Sequence, residues 1–270
     1  GRAVSEWRLV REEALTGPEA MAYDEAAART AANGGPRTVR LYRWQPSTLS
    51  LGYRQAPESV DWAACDRAGV DVVRRNTGGG GIYHDTYGDV SYSIVAPADE
   101  VPGDLLETYE RFCEPLFDAF ERLGVDARFV GEEHSAIHEP ACYLRALHPA
   151  HDIVAGDGRK LSGNAQYRRE DAVIQHGSIT FRSEPERHLD CFATDAVSPG
   201  EFAERVTGLV EQNPDLTRRE VVGTLESALA EWADAEEGTW TDEEVAFAER
   251  RADEKYRSEA WTRDREDPTG

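Results

Sequence analysis

The sequence is nearly devoid of lysine. It carries 30 basic side chains, and all but Lys160 and Lys255 are arginine. The two residues share a charge but not a chemistry: ammonium is a compact point charge with three donors, whereas guanidinium is a planar fork that stays protonated. A position that retains lysine in such a chain is marked as one that needs the point charge. Cysteine is sparse as well. Cys65, Cys113, Cys142 and Cys191 stand far apart with no CxxC pair, and no secretory leader is recognisable before the first helical pattern. Both features favour reduced thiols in a cytoplasmic protein over a disulfide framework. No apolar run approaches the ~20 residues that a membrane helix needs. Positive charge is in deficit, with 52 acidic residues and a formal net charge of −22. That charge repels phosphates, and no basic patch with interleaved aromatics offsets it, so nucleic acid is excluded as a partner.

What is present describes a folded α/β chain. With 270 residues, 40% of them hydrophobic, the sequence is long enough for one large domain or two small ones and too apolar for a disordered acidic protein. Residues 39–55 and 70–75 read as strands, and Val90 to Val95 alternates with period two. Leu105, Leu106, Tyr109, Phe112, Leu116, Phe117, Phe120 and Leu123 recur at three and four, an amphipathic helix that Gly124 ends. After a polar loop over 131–150, Asp152-Ile153-Val154 and Lys160 to Gln166 flank the turn Gly156-Asp157-Gly158, which predicts a hairpin with Lys160 at the start of its second strand. A further turn over 168–171 leads into a strand from Ala172 to Phe181. Beyond Ser198-Pro199-Gly200 the pattern is helical, and Thr241-Asp242-Glu243-Glu244 opens the last helix as a capping box. No internal repeat and no low-complexity linker is evident.

Two motifs carry chemistry. Arg74-Arg75-Asn76-Thr77-Gly78-Gly79-Gly80-Gly81-Ile82-Tyr83-His84-Asp85 follows an apolar strand with four glycines. Without Cβ atoms, such a loop lets a ligand approach its amides and tolerates positive φ. It is neither a P-loop nor a dinucleotide fingerprint, because the required lysine and spacing are missing. The second motif is Gly158-Arg159-Lys160-Leu161-Ser162-Gly163-Asn164-Ala165-Gln166.

Together, RRNTGGGGIYHD and GRKLSGNAQYRREDAVIQHGSI resemble the lipoate–protein ligase and octanoyltransferase family, whose catalytic fold is shared with biotin protein ligases. Pro18 to Ala26 looks like the family's first helix, residues 41–44 and 49–55 like its first sheet strands, and Glu254 to Trp261 like its closing helix. The resemblance implies an α/β (α+β) fold of mixed, largely antiparallel sheets with flanking helices. A catalytic domain is expected over 1–200, with a helical extension over 201–270 packed on it. Strong acidity with arginine in place of lysine is similar to the proteins of salt-loving archaea, where ~1 M salt shortens the Debye length to roughly 3 Å and screens self-repulsion.

The same resemblance assigns expected roles. Lys160 contacts the carboxyl end of a medium-chain acyl group, where an ammonium stabilises charge that develops during acyl transfer. Arg75 pairs with carboxylate or phosphate oxygens, and Arg74, Thr77, Gly78, Gly79, Gly80, Gly81, Ile82 and Tyr83 belong to the loop over adenylate and acyl chain. A side chain at Gly80 is then expected to cost ligand binding more than stability. His84 and Asp85 shape that loop by hydrogen bonding, Ser162, Gly163, Asn164 and Ala165 accompany Lys160, and His176 with Gly177 faces the same pocket, although a satisfied core histidine would look the same at His176. Cys142 resembles the acyl-thioester nucleophile of the cysteine-dependent octanoyltransferases, which adenylating ligases generally lack; a small buried hydrophobe would look the same. His134, His138, His148 and His151 fit no tetrahedral zinc template, so no metal held by protein ligands alone is expected. The leading expectation is ATP-dependent: lipoate and ATP with Mg²⁺ give lipoyl-adenylate, and the acyl group passes to a lysine on a lipoyl-acceptor domain of a 2-oxoacid dehydrogenase or on the glycine cleavage H protein. The alternative is octanoyl transfer from a carrier thioester through Cys142 without ATP. Adenylating members usually carry a small accessory domain, and none is recognisable after the closing helix, which either weakens the ligase reading or implies a separate partner chain.

Overall fold

A computed structural model describes residues 6–101, 103–131, 134–148 and 151–270. Its strands are β1 (Trp7–Leu15), β2 (Arg37–Trp44), β3 (Thr48–Leu51), β4 (Asp71–Arg74), β5 (Ile82–His84), β6 (Asp89–Pro97), β7 (Ala127–Phe129), β8 (Asp152–Ala155), β9 (Lys160–Arg169), β10 (Ala172–Thr180) and the short β11 (Glu236–Glu237). Eight of them form one sheet in the order β11-β1-β2-β6-β10-β9-β8-β7, and β4-β3-β5 form a second. Among the described strands, β11–β1–β2 and β3–β4 pair in parallel and the other strand pairs are antiparallel. The mixed, largely antiparallel sheets and flanking helices are those expected from the sequence.

Helix α1 (Gly17–Ala32) starts at Thr16, whose Oγ1 accepts the Glu19 N–H at 3.4 Å, and carries Pro18 in its first turn. The short α2 (Trp62–Arg67) leads into β4. Helix α3 (Leu105–Arg122) lays Phe112, Leu116 and Phe120 on a core that also holds Val39, Tyr92, Ile153 and Leu161. Leu105 and Leu106, read as part of that apolar face, are exposed instead, in the first turn of the helix. After β10 come α4 (Pro185–Asp190), α5 (Pro199–Arg205), α6 (Leu209–Gln212) and α7 (Arg218–Ala233). Leu216, Val221, Leu225 and Leu229 complete the same core as Leu9 and Phe112. Helix α8 (Asp242–Arg251) is capped by Thr241 with Glu244, as expected, and packs against α1. The closing helix is not continuous: a π-helical turn over Ala252–Tyr256 precedes α9 (Glu259–Thr262), which Ser258 caps separately. No helix among the described residues is long and apolar enough to cross a membrane.

Both lysines are buried, Lys160 to 2% and Lys255 to 1% exposure. The Lys255 ammonium lies 3.0 Å from Asp267, 2.9 Å from the Asn76 side-chain oxygen and 4.2 Å from the centre of the Trp261 ring. It ties the C-terminal segment to the residue that precedes Thr77. The rare lysines therefore mark two buried ion pairs, of which only one faces a cavity.

Candidate active site

A cavity of about 450 Å³ opens between the glycine loop, the hairpin strands and the segment around Cys142. Its lining brings together Arg75, Thr77, Gly78, Gly79, Ile82 and His84 from the first motif. Lys160, Gly163, Asn164 and Ala165 come from β9, and His176 and Gly177 from β10. Cys142 joins them from the loop before β8, so residues far apart in sequence share one space.

The hairpin is what fixes Lys160. Gly158, at φ +86°, turns the chain so that Asp152 opens β8 and Lys160 opens β9. Lys160 Nζ sits 2.8 Å from Asp152 Oδ1 and 4.6 Å from the centre of the Tyr143 ring. Burial alone would lower the lysine pKa, but the Asp152 carboxylate, and thiolate at Cys142 when it forms, raise it above its ordinary value. Asp152 shows the mirror effect: burial would raise its pKa, and Lys160 holds it well below the usual carboxylate range. The ammonium is thus a fixed cation that does not give up its proton near neutral pH. Asp152 also accepts the His148 backbone N–H at 2.6 Å, and Asn164 donates to the His151 carbonyl at 2.9 Å. Asp152 is a site residue that sequence reading missed; its signal was its place on the strand that the predicted hairpin lays beside the Lys160 strand, where it stands opposite Gly163.

Around the glycine loop the structure corrects several expectations. Arg74 does not face the cavity. Its guanidinium donates to the carbonyls of Gly52, Tyr53, Gln55, Trp261 and Thr262, so it clamps the closing helix and is held away from the cavity. Arg75 lines the cavity, yet its five donors go to Ser50 O and Oγ, Thr77 Oγ1, Gly78 O and Gly80 O at 2.6–3.3 Å. It is a buried brace for the loop rather than an open clamp for phosphate, and burial lowers its pKa.

Gly78 and Gly79 face open space or the Cys142 thiol, and Gly79 adopts φ +94°. Gly80 and Gly81 do not meet the ligand space. A Cβ on Gly80 would lie 2.6 Å from Pro140 O and 2.7 Å from Cys142 N, and one on Gly81 would lie 2.9 Å from the Phe192 ring. The Gly81 N–H donates to Pro140 O at 2.7 Å, and the Cys142 N–H donates to Gly81 O at 2.9 Å. These glycines let the loop dock on the segment that carries Cys142. Gly80→Val is therefore expected to push that segment away, costing about 1–3 kcal/mol as an overpacked contact together with activity. A urea midpoint equal to wild type would show that the two segments are not in contact.

Tyr83 and Ser162 also lie off the cavity. The Tyr83 hydroxyl donates to Asp85 at 2.7 Å, and Ser162 is fully buried. Asp85 accepts the Tyr87 and Gly88 N–H groups at 3.0 and 2.8 Å, closing the turn after β5. His84 stacks on Trp44 at 4.1 Å, contacts Ser50 Oγ through Nε2 at 2.8 Å, and pairs with Asp89 through Nδ1. Burial lowers its pKa. His176 contacts Thr77 Oγ1 through Nε2 at 3.0 Å and Asp24 Oδ2 through Nδ1 at 3.3 Å, and Asp24 in turn accepts from Arg40 at 2.9 Å. Asp24, Met21, Tyr42, Trp44 and Tyr109 were not read as site residues, because only the fold carries α1, α3 and β2 to the cavity. Among the described residues no group of three or more His, Cys, Asp or Glu is placed to hold a metal ion.

This geometry has relatives. Residues 16–230 match the model of the lipoyl protein ligase A/B catalytic domain. The chain is 30% identical to octanoyltransferase LipM of Exiguobacterium sp., over 94% of this chain and 97% of that protein. It is 33% identical to octanoyltransferase LipM of Kyrpidia tusciae over the same shares. Among solved structures, lipoate-protein ligase A bound with ATP superposes with a TM-score of 0.78 at 27% identity, covering 96% of this chain and 98% of that one. The bipartite lipoate protein ligase of Thermoplasma acidophilum, solved in a study of that ligase and its E2 lipoyl domain, gives 0.79 at 25% identity, covering 96% and 97%. The chain belongs to the lipoyl protein ligase A/B catalytic domain family, and is an enzyme of lipoyl or octanoyl transfer.

Proposed function

We propose that this enzyme is a cysteine-dependent octanoyltransferase, which moves an octanoyl group from a carrier thioester to a lysine of a lipoyl-acceptor domain through an acyl-thioester on Cys142. The observation that supports this most is that the Cys142 thiol and the Lys160 ammonium line one cavity, the ammonium kept charged by Asp152. A nearby cation favours the thiolate, the nucleophilic form. The thiolate attacks the donor carbonyl, the carrier thiol leaves, and the acceptor amine then displaces Cys142 to give the amide. The cavity volume suits a small acyl ligand. Full-length relatives named octanoyltransferase support the same route over the adenylating one, which was the leading expectation. The ATP reading also asked Arg74 and Arg75 to meet the nucleotide, and both are occupied by backbone and loop atoms. As part of this proposal the enzyme works in the cytoplasm, and its acidic, arginine-rich composition suits a saline one.

Incubation of the enzyme with an octanoyl thioester of acyl carrier protein and a lipoyl domain, without ATP, tests the route by intact-protein mass spectrometry. Octanoylated Cys142 followed by octanoylated acceptor is the expected sequence. Acceptor modification that requires ATP and releases AMP would replace it with the adenylating route.

A further inference from the structure

Amide formation needs a base that neither Cys142 nor Lys160 supplies. A lysine ε-amine has a pKa near 10.4 and arrives as ammonium. Acylated Cys142 has no lone proton site, and Lys160 is already an ammonium paired with Asp152 at 2.8 Å. The cavity holds another arrangement that the transfer scheme has not used.

Hydrogen-bond partners set its tautomer. The Asp24 carboxylate only accepts, so His176 Nδ1 carries the hydrogen that faces Asp24 Oδ2 at 3.3 Å. In the neutral imidazole Nε2 is then the bare nitrogen, and the Thr77 hydroxyl, which accepts the Arg75 Nε–H at 3.3 Å, has its own hydrogen to give to Nε2 at 3.0 Å. The other Asp24 oxygen accepts from Arg40 at 2.9 Å, with Asp24 and Arg40 fully buried. Burial alone would raise the Asp24 pKa, but Arg40 and His176 lower it, so the carboxylate stays charged. An imidazole held by a carboxylate at Nδ1, with Nε2 on a hydroxyl, is the arrangement of a general base. A second group of this kind, Ser50–His84–Asp89, exists nearby, but Ser50 is fully buried and outside the cavity lining, whereas Thr77 and His176 both line it.

We propose that Thr77, His176 and Asp24 form a proton relay that deprotonates the incoming acceptor lysine. This rests on the acyl-transfer reading above. The ammonium gives its proton to Thr77 Oγ as the Thr77 hydrogen passes to His176 Nε2, and the imidazolium so formed faces Asp24. The free amine attacks the carbonyl carbon of the acyl group. The C–N bond forms, the C–S bond to Cys142 breaks, and the leaving thiolate takes one of the two amine protons while the other stays on the amide nitrogen. His176 then returns its proton to solvent through Thr77.

The test compares two nucleophiles on the octanoyl-enzyme: an acceptor lipoyl domain, whose lysine must lose a proton, and hydroxylamine, which is neutral at pH 7 and needs no base. Thr77→Val and His176→Gln are expected to slow discharge to the lipoyl domain about 10²-fold or more, while discharge to hydroxylamine stays at the wild-type rate. Thr77→Ser, which keeps the hydroxyl, is expected to rescue the lysine reaction. Equal loss with both nucleophiles would reduce the three residues to a structural support and overturn the relay. So would wild-type lysine discharge in Thr77→Val, or a lysine-specific loss found instead in His151→Gln. The comparison is repeated with preformed octanoyl-adenylate as donor. A wild-type enzyme that acylates the lipoyl domain only from the adenylate would sink the Cys142 route, yet the two-nucleophile comparison would still decide the relay.

Discussion

Cys142→Ser is expected to abolish octanoyl transfer from a carrier thioester, by on the order of 10³-fold or more, as removal of a covalent nucleophile does. An alcohol has a far higher pKa than a thiol, and even the Lys160 cation does not bring serine to a useful alkoxide population. The variant should show no hydroxylamine-sensitive acyl adduct. Its melting temperature should match wild type, because Cys142 is only partly buried and the substitution barely changes volume. Retention of most activity, with ATP consumed and AMP formed in step with product, would assign Cys142 to packing alone and return the enzyme to the adenylating branch.

Lys160→Arg should be just as inactive although charge is kept. Lys160 is 2% exposed, with Asp152 at 2.8 Å and the Tyr143 ring at 4.6 Å. A planar guanidinium cannot occupy the ammonium's place without displacing one of them, and it offers a broad fork where the site presents a point charge. Removing only one partner of this pair leaves a buried charge uncompensated, at about 3–5 kcal/mol. Lys160→Met alone should therefore unfold at markedly lower urea. The double variant Lys160→Met with Asp152→Asn should recover much of that stability and remain inactive. Recovery of activity in the double variant would show that the cation matters for folding and not for acyl transfer.

Much of the fold was legible because local patterns were strong. The period of α3, the Thr16 and Thr241 caps and the glycine-marked hairpin before Lys160 each depend on neighbours within a few residues. β1 was not legible. Its run Arg8, Arg11, Glu12 and Glu13 reads as surface, yet Arg8 is buried against Glu244, and Glu12 pairs with Arg218 at 2.7 Å. Charged residues enter an interior only when a partner waits there, and those partners lie more than 200 positions away. β6 was legible as a strand from its period-two alternation, but its sequence did not show that both faces are covered; Ser91 accepts from Trp44 at 2.9 Å.

The sequence by itself determined the chemistry available: a lysine kept among arginines, a glycine-rich loop that demands close backbone approach, and a cysteine in the segment before β8. These are properties of residue type and spacing, which survive without coordinates. The tertiary structure alone decided how the groups are used. It turned Arg74 and Arg75 inward to brace the loop, and it gave Gly80 and Gly81 to the Cys142 segment instead of a ligand. It also placed Asp152 against Lys160 and brought Asp24 from α1 to His176 on β10. The physical reason is that burial leaves each charge and each hydrogen-bonding group to find a partner in space, and sequence distance carries no information about which partner that will be.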